Sequence, residues 1–554
     1  MTDREETQVL VIGAGPAGLA TAYVLGQYGI PSIVCDQHGG VHPHPRAHVV
    51  NTRSMEMFRA WGVADAVASD DHALDTSQGM RVVWRHSLAG EEFGHIDTSE
   101  VPAERLRRRR EGSPVNTISC PQDRIQSLLV GAVTSQGVSR VDYDTRVVAV
   151  EDGAHSVTAT VEVQGATKKI TAQYVVNAEG AAGRVRAALG IDVDGVPKLG
   201  DQVTTYFHAD LSRWTGDAPP LLSWVVNTEI QGVFVSMGRN RWTFTTGFDA
   251  DESAEGDFTS QRCIEMIESA IGSTDVDVDI DVRSTGTWTL GATIAQKFRK
   301  GRVFLVGDTA HQFPPTGGFG MNTGLGDADN LAWKLAAVLQ GRAPERLLDT
   351  YEYERQAVAR ANSEFSVTNA IKMAATGVGP AAGLVAEELE SADPAVSAAV
   401  RDRLKSEIPN QLPHFDDIDL EIGYVYGPST DKDAITAPIV GGRLPHKWIT
   451  RDGAEESTLD LLGPRFTLIA GPAWTALAEQ DLRVGSEVVQ LLVEGRDFGF
   501  TDAAKTLGVD EGGAVLVRPD GHIVWIGDHL PSDPAEALAS AIDDLYCSAT
   551  GLVR

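Results

Sequence analysis

A run of strand, glycines, helix, strand and acid opens the chain and restricts what it can fold into. Val9-Leu-Val-Ile12 is a short apolar run suited to a strand buried on both faces. Gly13-Ala-Gly-Pro-Ala-Gly18 follows at once, then Leu19–Leu25 reads as a helix ended by Gly26 or Gly29. A second strand, Ile30–Cys35, ends at Asp36. Gly13 permits the tight turn, Gly15 lets backbone approach a pyrophosphate, and Gly18 lets the helix pack against the sheet. With Pro16 and Ala17 between the last two glycines, the helix N-terminus offers free N–H groups and a partial positive charge. Asp36 can accept ribose hydroxyls, which fits an unphosphorylated ribose, as in FAD or NAD, better than NADP. Gly377–Gly383 looks similar, but its G-x-G-x-x-x-G spacing follows the helical run Val367–Ala375, so it reads as a helix-breaking loop.

Composition narrows the partners. The 554 residues suggest roughly three or four structural units. With 47 Lys+Arg against 77 Asp+Glu the net charge is −30, a surface that repels nucleic acid and anionic membranes. The four cysteines, Cys35, Cys120, Cys263 and Cys547, form no CxxC, so neither a disulfide framework nor a Cys-based zinc site is supported. No apolar run reaches the roughly 20 residues that span a bilayer, and the acidic Met1–Thr7 is unlike a signal peptide. The expectation is a cytoplasmic enzyme. His42, His44 and His48 lack a carboxylate or Cys at ligand spacing, so no metal is expected.

A second ligand motif lies far along the chain. Gly301-Arg-Val-Phe-Leu-Val-Gly-Asp308 is a strand ending in Gly307-Asp308, and it runs through a Pro- and Gly-rich loop to Asn322. A long helix is expected from Leu331. Here the chain resembles the class A flavin-dependent aromatic monooxygenases, the para-hydroxybenzoate and phenol hydroxylase type, whose second FAD motif is similar to Gly307–Asn330. The resemblance implies that Asp308 binds the ribityl chain. It places the backbone at Gly318, Gly320, Met321 and Asn322 against the flavin, and Pro315 beside its reacting edge. Pro45-Arg46-Ala47 matches the stretch in which an Arg, here Arg46, approaches the cofactor phosphates. Gln122 matches a Gln that contacts FAD. Tyr174–Gly190 matches the family's Asp-Gly motif, but carries Glu179 before Gly180 in place of Asp, and Gly183 in place of Ser.

The motifs are scattered, so other segments are inserted between them. The expected architecture is α/β: a Rossmann-type FAD-binding domain from 1–74, 116–200 and 286–345, and a β-sheet substrate domain from 75–115 and 201–285. A helical connection over 346–435 follows. The unit 436–554 resembles the thioredoxin-like tail of several such hydroxylases; lacking CxxC, it suits packing or a homodimer contact. In the substrate sheet Gln202–Asp210, Ser223–Asn227, Val233–Met237 and Arg241–Phe248 read as strands, with Tyr206, His208 and Asp210 on one face and Val203, Thr205 and Phe207 on the other. Trp224 and Trp242 belong to this sheet. Arg105 and Arg107–Arg110 form the dense basic run, a solvated face or a dock for NADPH phosphate.

The resemblance implies NADH or NADPH as hydride donor, O2 as co-substrate, a flavin C4a-hydroperoxide, and hydroxylation of a phenolic or similarly electron-rich ring by a single-component enzyme. A base that deprotonates the ring hydroxyl would raise its reactivity; Tyr206, His208 and His48 are the candidates, each with a structural role as the alternative. Two other readings stay open: an oxidase or halogenase on the same scaffold, although Trp-x-Trp-x-Ile-Pro is absent, and a non-catalytic FAD protein whose tail recruits a partner.

Overall fold

A computed structural model describes residues 4–76, 79–250, 255–274, 277–379, 382–427, 434–478, 482–502 and 507–547. Pro380, Ala381 and Pro428, which fall in stretches discussed above, lie outside the described residues. The first strand runs from Arg4 to Ile12, longer than its apolar half, with Val9, Leu10 and Val11 fully buried. It lies in a parallel array ordered Val303–Leu305, Ala166–Asn177, Arg4–Ile12, Ser32–Cys35 and Arg140–Asp142. The chain leaves the first strand on one side and returns on the other, so the strand order reverses beside Ile12. A crevice opens at the carboxyl edge of such a sheet where the order reverses. Ile12, Cys35, Asn177 and Leu305 stand in one register row there. Gly13, Asp36, Ala178 and Val306 therefore emerge side by side, from positions hundreds of residues apart.

The edge is crowded with backbone, and this explains its glycines. A Cβ on Gly13 would lie 2.3 Å from the Ala178 carbonyl oxygen, and one on Gly18 only 2.0 Å from that of Gly13. The long helix Phe319–Leu339 crosses the same place: a Cβ on Gly324 would stand 3.1 Å from Gly307 Cα and 3.2 Å from Ala17 Cβ. This helix starts twelve residues before the expected Leu331. Glycines 320, 324 and 326 made its first half read as loop, since each costs about 1 kcal/mol relative to Ala in a helix. Two of them are needed for contact, Gly324 with the Gly307 turn and Gly326 with the Arg355 guanidinium.

A second sheet of eight strands roofs the carboxyl edge. Its order is His311–Gln312, Asp281–Ala295, Val193–His208, Arg241–Phe248, Gln231–Ser236, Leu222–Val226, Arg81–Arg85 and Glu92–Asp97. Segments near 81–97 and 193–295 thus share one sheet. The strands Val193–His208 and Asp281–Ala295 run unbroken through the expected boundaries at 200 and 285, so the two units are joined by continuous strands. The alternation predicted for residues 203–208 holds. Phe207 packs with Phe234, Trp242, Phe244 and Ile267 on the outer face, while Tyr206 turns toward the 42–48 loop.

The C-terminal unit has a five-stranded sheet, Leu482–Val484, Glu487–Val493, Thr467–Ala470, Ala514–Val517 and Ile523–Gly527, covered by the helix Pro534–Cys547. Its core is continuous with the back of the long helix through Trp333 and Ala337, and with Leu347 just beyond that helix. Beside this seam lies a buried network of charges. Lys334 Nζ contacts Glu354 Oε2 at 2.7 Å, Arg518 contacts Glu354 at 2.6 Å and also pairs with Asp520, and Trp333 Nε1 donates to Asp520 at 3.1 Å. Such a network is costly to desolvate, and removing one partner typically costs about 3–5 kcal/mol. Its value here lies in fixing how the two units dock.

Asp329 belongs to this seam, 3.7 Å from Arg53 and 3.2 Å from the Trp61 indole nitrogen. Burial raises its pKa from 3.8 to about 7, with Asp520 adding to the shift and Arg53 opposing it. The folded protein then keeps a proton that the unfolded chain releases near pH 3.8, so this contribution to stability shrinks as pH rises and is gone above pH 7. Asp329→Asn should stabilise the protein at pH 8 by about 1–3 kcal/mol and give little advantage near pH 4. Thermal unfolding at the two pH values measures this; an Asn variant less stable at pH 8 would refute it.

Candidate active site

The turn Gly13–Gly15 is held from two sides. Ala14 N donates to Asp36 Oδ2 at 2.7 Å, and Gln126 Nε2 donates to Ala14 O at 2.9 Å. Asp36 Oδ1 accepts from His38 N at 2.9 Å. A carboxylate has about four acceptor positions, so Asp36 keeps capacity for ribose hydroxyls. Gly15 caps the helix Pro16–Gln27, and a Cβ built on Gly15, Gly180 or Gly320 meets nothing within 4 Å. Backbone at three separate motifs therefore faces open space, the arrangement a long dinucleotide needs.

The Gly307-Asp308 turn closes onto its neighbours. Gly180 N donates to Thr309 Oγ1 at 3.0 Å, and Gly307 N donates to Asp327 Oδ2 at 3.0 Å. Asp327 is fully buried between His311 Nε2, 2.7 Å away, and Arg355 Nε, at 2.8 Å. Burial alone would raise its pKa, but His311 and Arg355 together bring it below the usual carboxylate range. Asp308 is exposed, with protein packed around it. That enclosure raises its pKa, with His311 and the exposed Arg46 opposing. The sequence reading missed Asp327, Arg355 and Gln126, because their partners lie far off in the chain.

The 46–51 segment packs on the start of the long helix. Asn322 Oδ1 accepts from Asn51 N at 3.0 Å, and its Nδ2 donates to Val49 O at 2.9 Å. Gly318, at φ +69°, caps that helix, and a Cβ there would stand 3.2 Å from Val49 Cβ. Pro315 is exposed, its carbonyl accepting from Gly318 N at 3.0 Å, and Met321 is half-buried. Gln122 joins the segment through Ala47, with Gln122 N donating to Ala47 O at 2.9 Å. Residues 47, 49, 51, 122, 318 and 322 thus pack together.

Glu179 and Gly183 explain each other. Gly183 caps the short helix Arg184–Ala188 at φ +53° and has no side chain to offer. Glu179 Oε1 reaches across instead, accepting from Val185 N at 2.7 Å, Arg186 N at 3.3 Å and Asn177 Nδ2 at 2.9 Å. The longer acid thus caps a helix whose N-cap position, left-handed and crowded by Arg186, suits glycine.

The inner face of the roof brings polar groups together over this opening. Tyr206 hydroxyl is 2.8 Å from His208 Nε2 and accepts from Arg241 Nε at 2.7 Å. His44, rather than His48, meets the Tyr206 ring edge-on, with centroids 6.4 Å apart. His44 Nδ1 lies 2.8 Å from Ser284 Oγ, and burial, with His42 and Arg46 nearby, brings its pKa down to about 4. His48 instead faces Ser119 Oγ at 3.1 Å, and burial lowers its pKa to about 4 as well. The structure therefore separates His48 from the Tyr206–His208 pair. Trp242 is buried with its indole donating to Ala209 O at 3.1 Å, a structural role; Trp224 is half-buried.

The basic run forms the helix Ala103–Gly112, and its charge is largely neutralised within the chain. Arg105 and Arg109 pair with Asp416, Arg107 with Glu104 and Arg108 with Asp419. These pairings fit the solvated-face reading of the run. A cavity of about 50 Å³ beside Arg109 and Arg110, and one of about 220 Å³ between Arg342 and Tyr546, include none of the motif residues.

Residues 6–366 match the family of FAD binding domains, and residues 437–548 match the family described as aromatic-ring hydroxylase, C-terminal. The chain belongs to the FAD-dependent aromatic-ring hydroxylases. It is 32% identical to 2,4-dichlorophenol 6-monooxygenase of Cupriavidus pinatubonensis over 97% of this chain and 96% of that protein. It is 31% identical to tetracenomycin A2 monooxygenase-dioxygenase of Streptomyces glaucescens, over 99% and 98%. Among solved structures, the flavin-dependent monooxygenase PieE with FAD and substrate superposes with a TM-score of 0.86 at 30% identity, covering 97% of this chain and 99% of that one. Aklavinone-11 hydroxylase with FAD and aklavinone gives 0.80 at 29%, covering 99% and 100%. This hydroxylase is an FAD-dependent monooxygenase with a Rossmann-type FAD-binding domain, and takes NAD(P)H and O2 as co-substrates. Among the described residues no helix is long and apolar enough to cross a membrane.

The capping exchange can be measured. Glu179→Asp should cost about 0.5–2 kcal/mol, because the shorter side chain no longer reaches Val185 N. Adding Gly183→Ser should deepen that loss, because at φ +53° a Cβ there would stand 2.6 Å from the Arg186 guanidinium. A recovery in thermal unfolding would show otherwise.

Proposed function

We propose that this hydroxylase acts on a ring hydroxyl-bearing aromatic compound held between the flavin and the Tyr206 face of the roofing sheet. The observation that carries this reading is the shared register row of Ile12, Cys35, Asn177 and Leu305, with the roof's polar face turned to the same opening. Bound FAD supplies hydride acceptance from the nicotinamide and activation of O2 for ring hydroxylation.

The chain's own residues bind and orient. Gly13, Gly15, Pro16, Ala17 and Gly18 present the helix N-terminus to the pyrophosphate, and Asp36 takes the adenosine ribose. Arg46 faces the phosphates, Gln122 fixes the Arg46 segment, and Glu179-Gly180 lies beside it. Gly307 and Asp308 hold the ribityl chain. Pro315, Gly318, Gly320, Met321 and Asn322 border the ring system. Tyr206 and His208 receive the ring hydroxyl, and their proton acceptance makes the ring more electron-rich. His48 takes a structural part beside Ser119. We assign the unit after residue 436 a thioredoxin-like packing role, since its core is shared with the long helix.

The purified, FAD-loaded protein should oxidise NADH or NADPH with matching oxygen uptake when given one member of a panel of phenols and polycyclic aromatics. That ring should gain one oxygen with little peroxide released. Asp308→Ala should weaken FAD retention about tenfold or more, the loss of one hydrogen bond to a charged group. No nicotinamide oxidation with any ring would refute the reading.

A further inference from the structure

Asp308 is exposed in a turn whose other members, Gly307, Thr309, Ala310 and His311, are all buried. What holds the turn is Asp327, from the long helix. Asp327 Oδ2 accepts from Gly307 N at 3.0 Å and from His311 Nε2 at 2.7 Å. One carboxylate oxygen thus pins the chain on both sides of Asp308. A side chain turns about its own bonds, so such a pin needs a fixed aim. Arg355 supplies it: Nε donates to the other oxygen, Asp327 Oδ1, at 2.8 Å, and Nη2 donates to Thr323 O at 3.0 Å.

The aim of Arg355 is set in turn from outside the cofactor domain. Its Nη1 donates to the Tyr426 hydroxyl at 3.2 Å. The Tyr426 ring stacks on His522 of the C-terminal unit, with centroids 4.2 Å apart, and the Arg518 guanidinium stands 5.2 Å from its centre. The Gly441 carbonyl ties the two rings together, accepting from Tyr426 N at 2.9 Å and lying 3.0 Å from His522 Nδ1. Asp327, Arg355, Tyr426 and His522 are all buried, so water cannot replace a partner that is lost. A carboxyl as deeply buried as Asp327 takes up a proton once its cation is gone, and a neutral acceptor holds Gly307 and His311 more weakly.

We infer that Arg355 is a positioning residue through which the C-terminal turn 518–522 sets the grip of Asp308 on FAD; this rests on the proposed hold of Asp308 on the ribityl chain. The order of contact is His522, Tyr426, Arg355, Asp327 and then the 307–311 turn. The part of the C-terminal unit goes beyond packing, because it keeps the guanidinium at the angle at which Asp327 grips both flanks of Asp308. Without the Tyr426 hydroxyl, Arg355 keeps Asp327 and Thr323 but loses its third anchor, and Asp308 drifts from its line with the polyol. The effect falls on one turn of the cofactor site. Asp36, on the turn beside Gly13, is held by Ala14 N and His38 N and lies outside this series of contacts.

The test reads FAD affinity in the full chain, by the change in flavin fluorescence as apoprotein is titrated into FAD. Tyr426→Phe, which keeps the stacked ring, should weaken FAD binding about fivefold. Arg355→Lys should weaken it more, and Arg355→Gln most, since neither reproduces the planar fork. The deciding readout is coupling. In an Asp308→Ala background Tyr426→Phe should cost less than about twofold, whereas in an Asp36→Asn background it should keep its full effect. A merely structural loosening would cost the same in both backgrounds. Thermal unfolding of each apoprotein separates folding from grip, and Tyr426→Phe carries the test if the Arg355 variants fail to fold. Unchanged affinity in Tyr426→Phe, or an equal loss in the two backgrounds, overturns the inference. Unchanged affinity in Asp308→Ala overturns instead the ribityl reading beneath it.

Discussion

Close backbone contact at the carboxyl edge of the parallel sheet is the constraint on which the rest of this structure depends. Gly13, Gly18, Gly307 and Gly324 stand where a Cβ would meet Ala178, Gly13, Ala17 or Gly307 at or inside contact distance. Removing side chains there lets three turns and two helices converge on a few ångströms of space. Had any one been bulky, the two helices would ride up and the turns would splay. The glycines carry a conformational cost, and the buried Val9–Val11 strand and its neighbours hold the edge against it.

Around that edge the chain uses different physics for different tasks. Local geometry makes the cofactor crevice, since each turn follows its own strand. Buried polar contacts set how the outer parts sit on it. Asp327 joins the Gly307 turn to Arg355, Arg241 joins the roof to Asp123, and Arg518 and Asp520 join the C-terminal unit to the long helix. Apolar packing would hold these surfaces together with less desolvation cost, but charge pairs with fixed geometry restrict the number of ways they can dock.

This division explains what could be read from the sequence. The first strand, its glycines and Asp36 were legible because the partners lie within one βαβ unit. Gly307-Asp308 was legible as the end of an apolar strand, and the alternation of Tyr206 and His208 as the two-residue period of a strand. The pairing of Asp123 with Arg241 spans 118 residues and leaves no local pattern. The start of the long helix was misplaced because propensity argues against Gly324 and Gly326, whereas their tertiary contacts require them. His44 and His48 differ by four positions in one loop, and only the fold decides that His44 meets Tyr206.

Three successive residues beside the cofactor opening answer to three different parts of the chain. Asn51 N is held by Asn322 of the long helix, Thr52 N by Glu421 of the connection, and the Arg53 guanidinium by the Asp520 carbonyl in the C-terminal turn. The segment works like a hub whose spokes reach nearly the full length of the polypeptide. A chimera that exchanges the C-terminal unit with a relative's would therefore have to carry a matching turn at 518–521. Without it, the exchange would loosen the wall of the opening from more than 450 residues away in sequence.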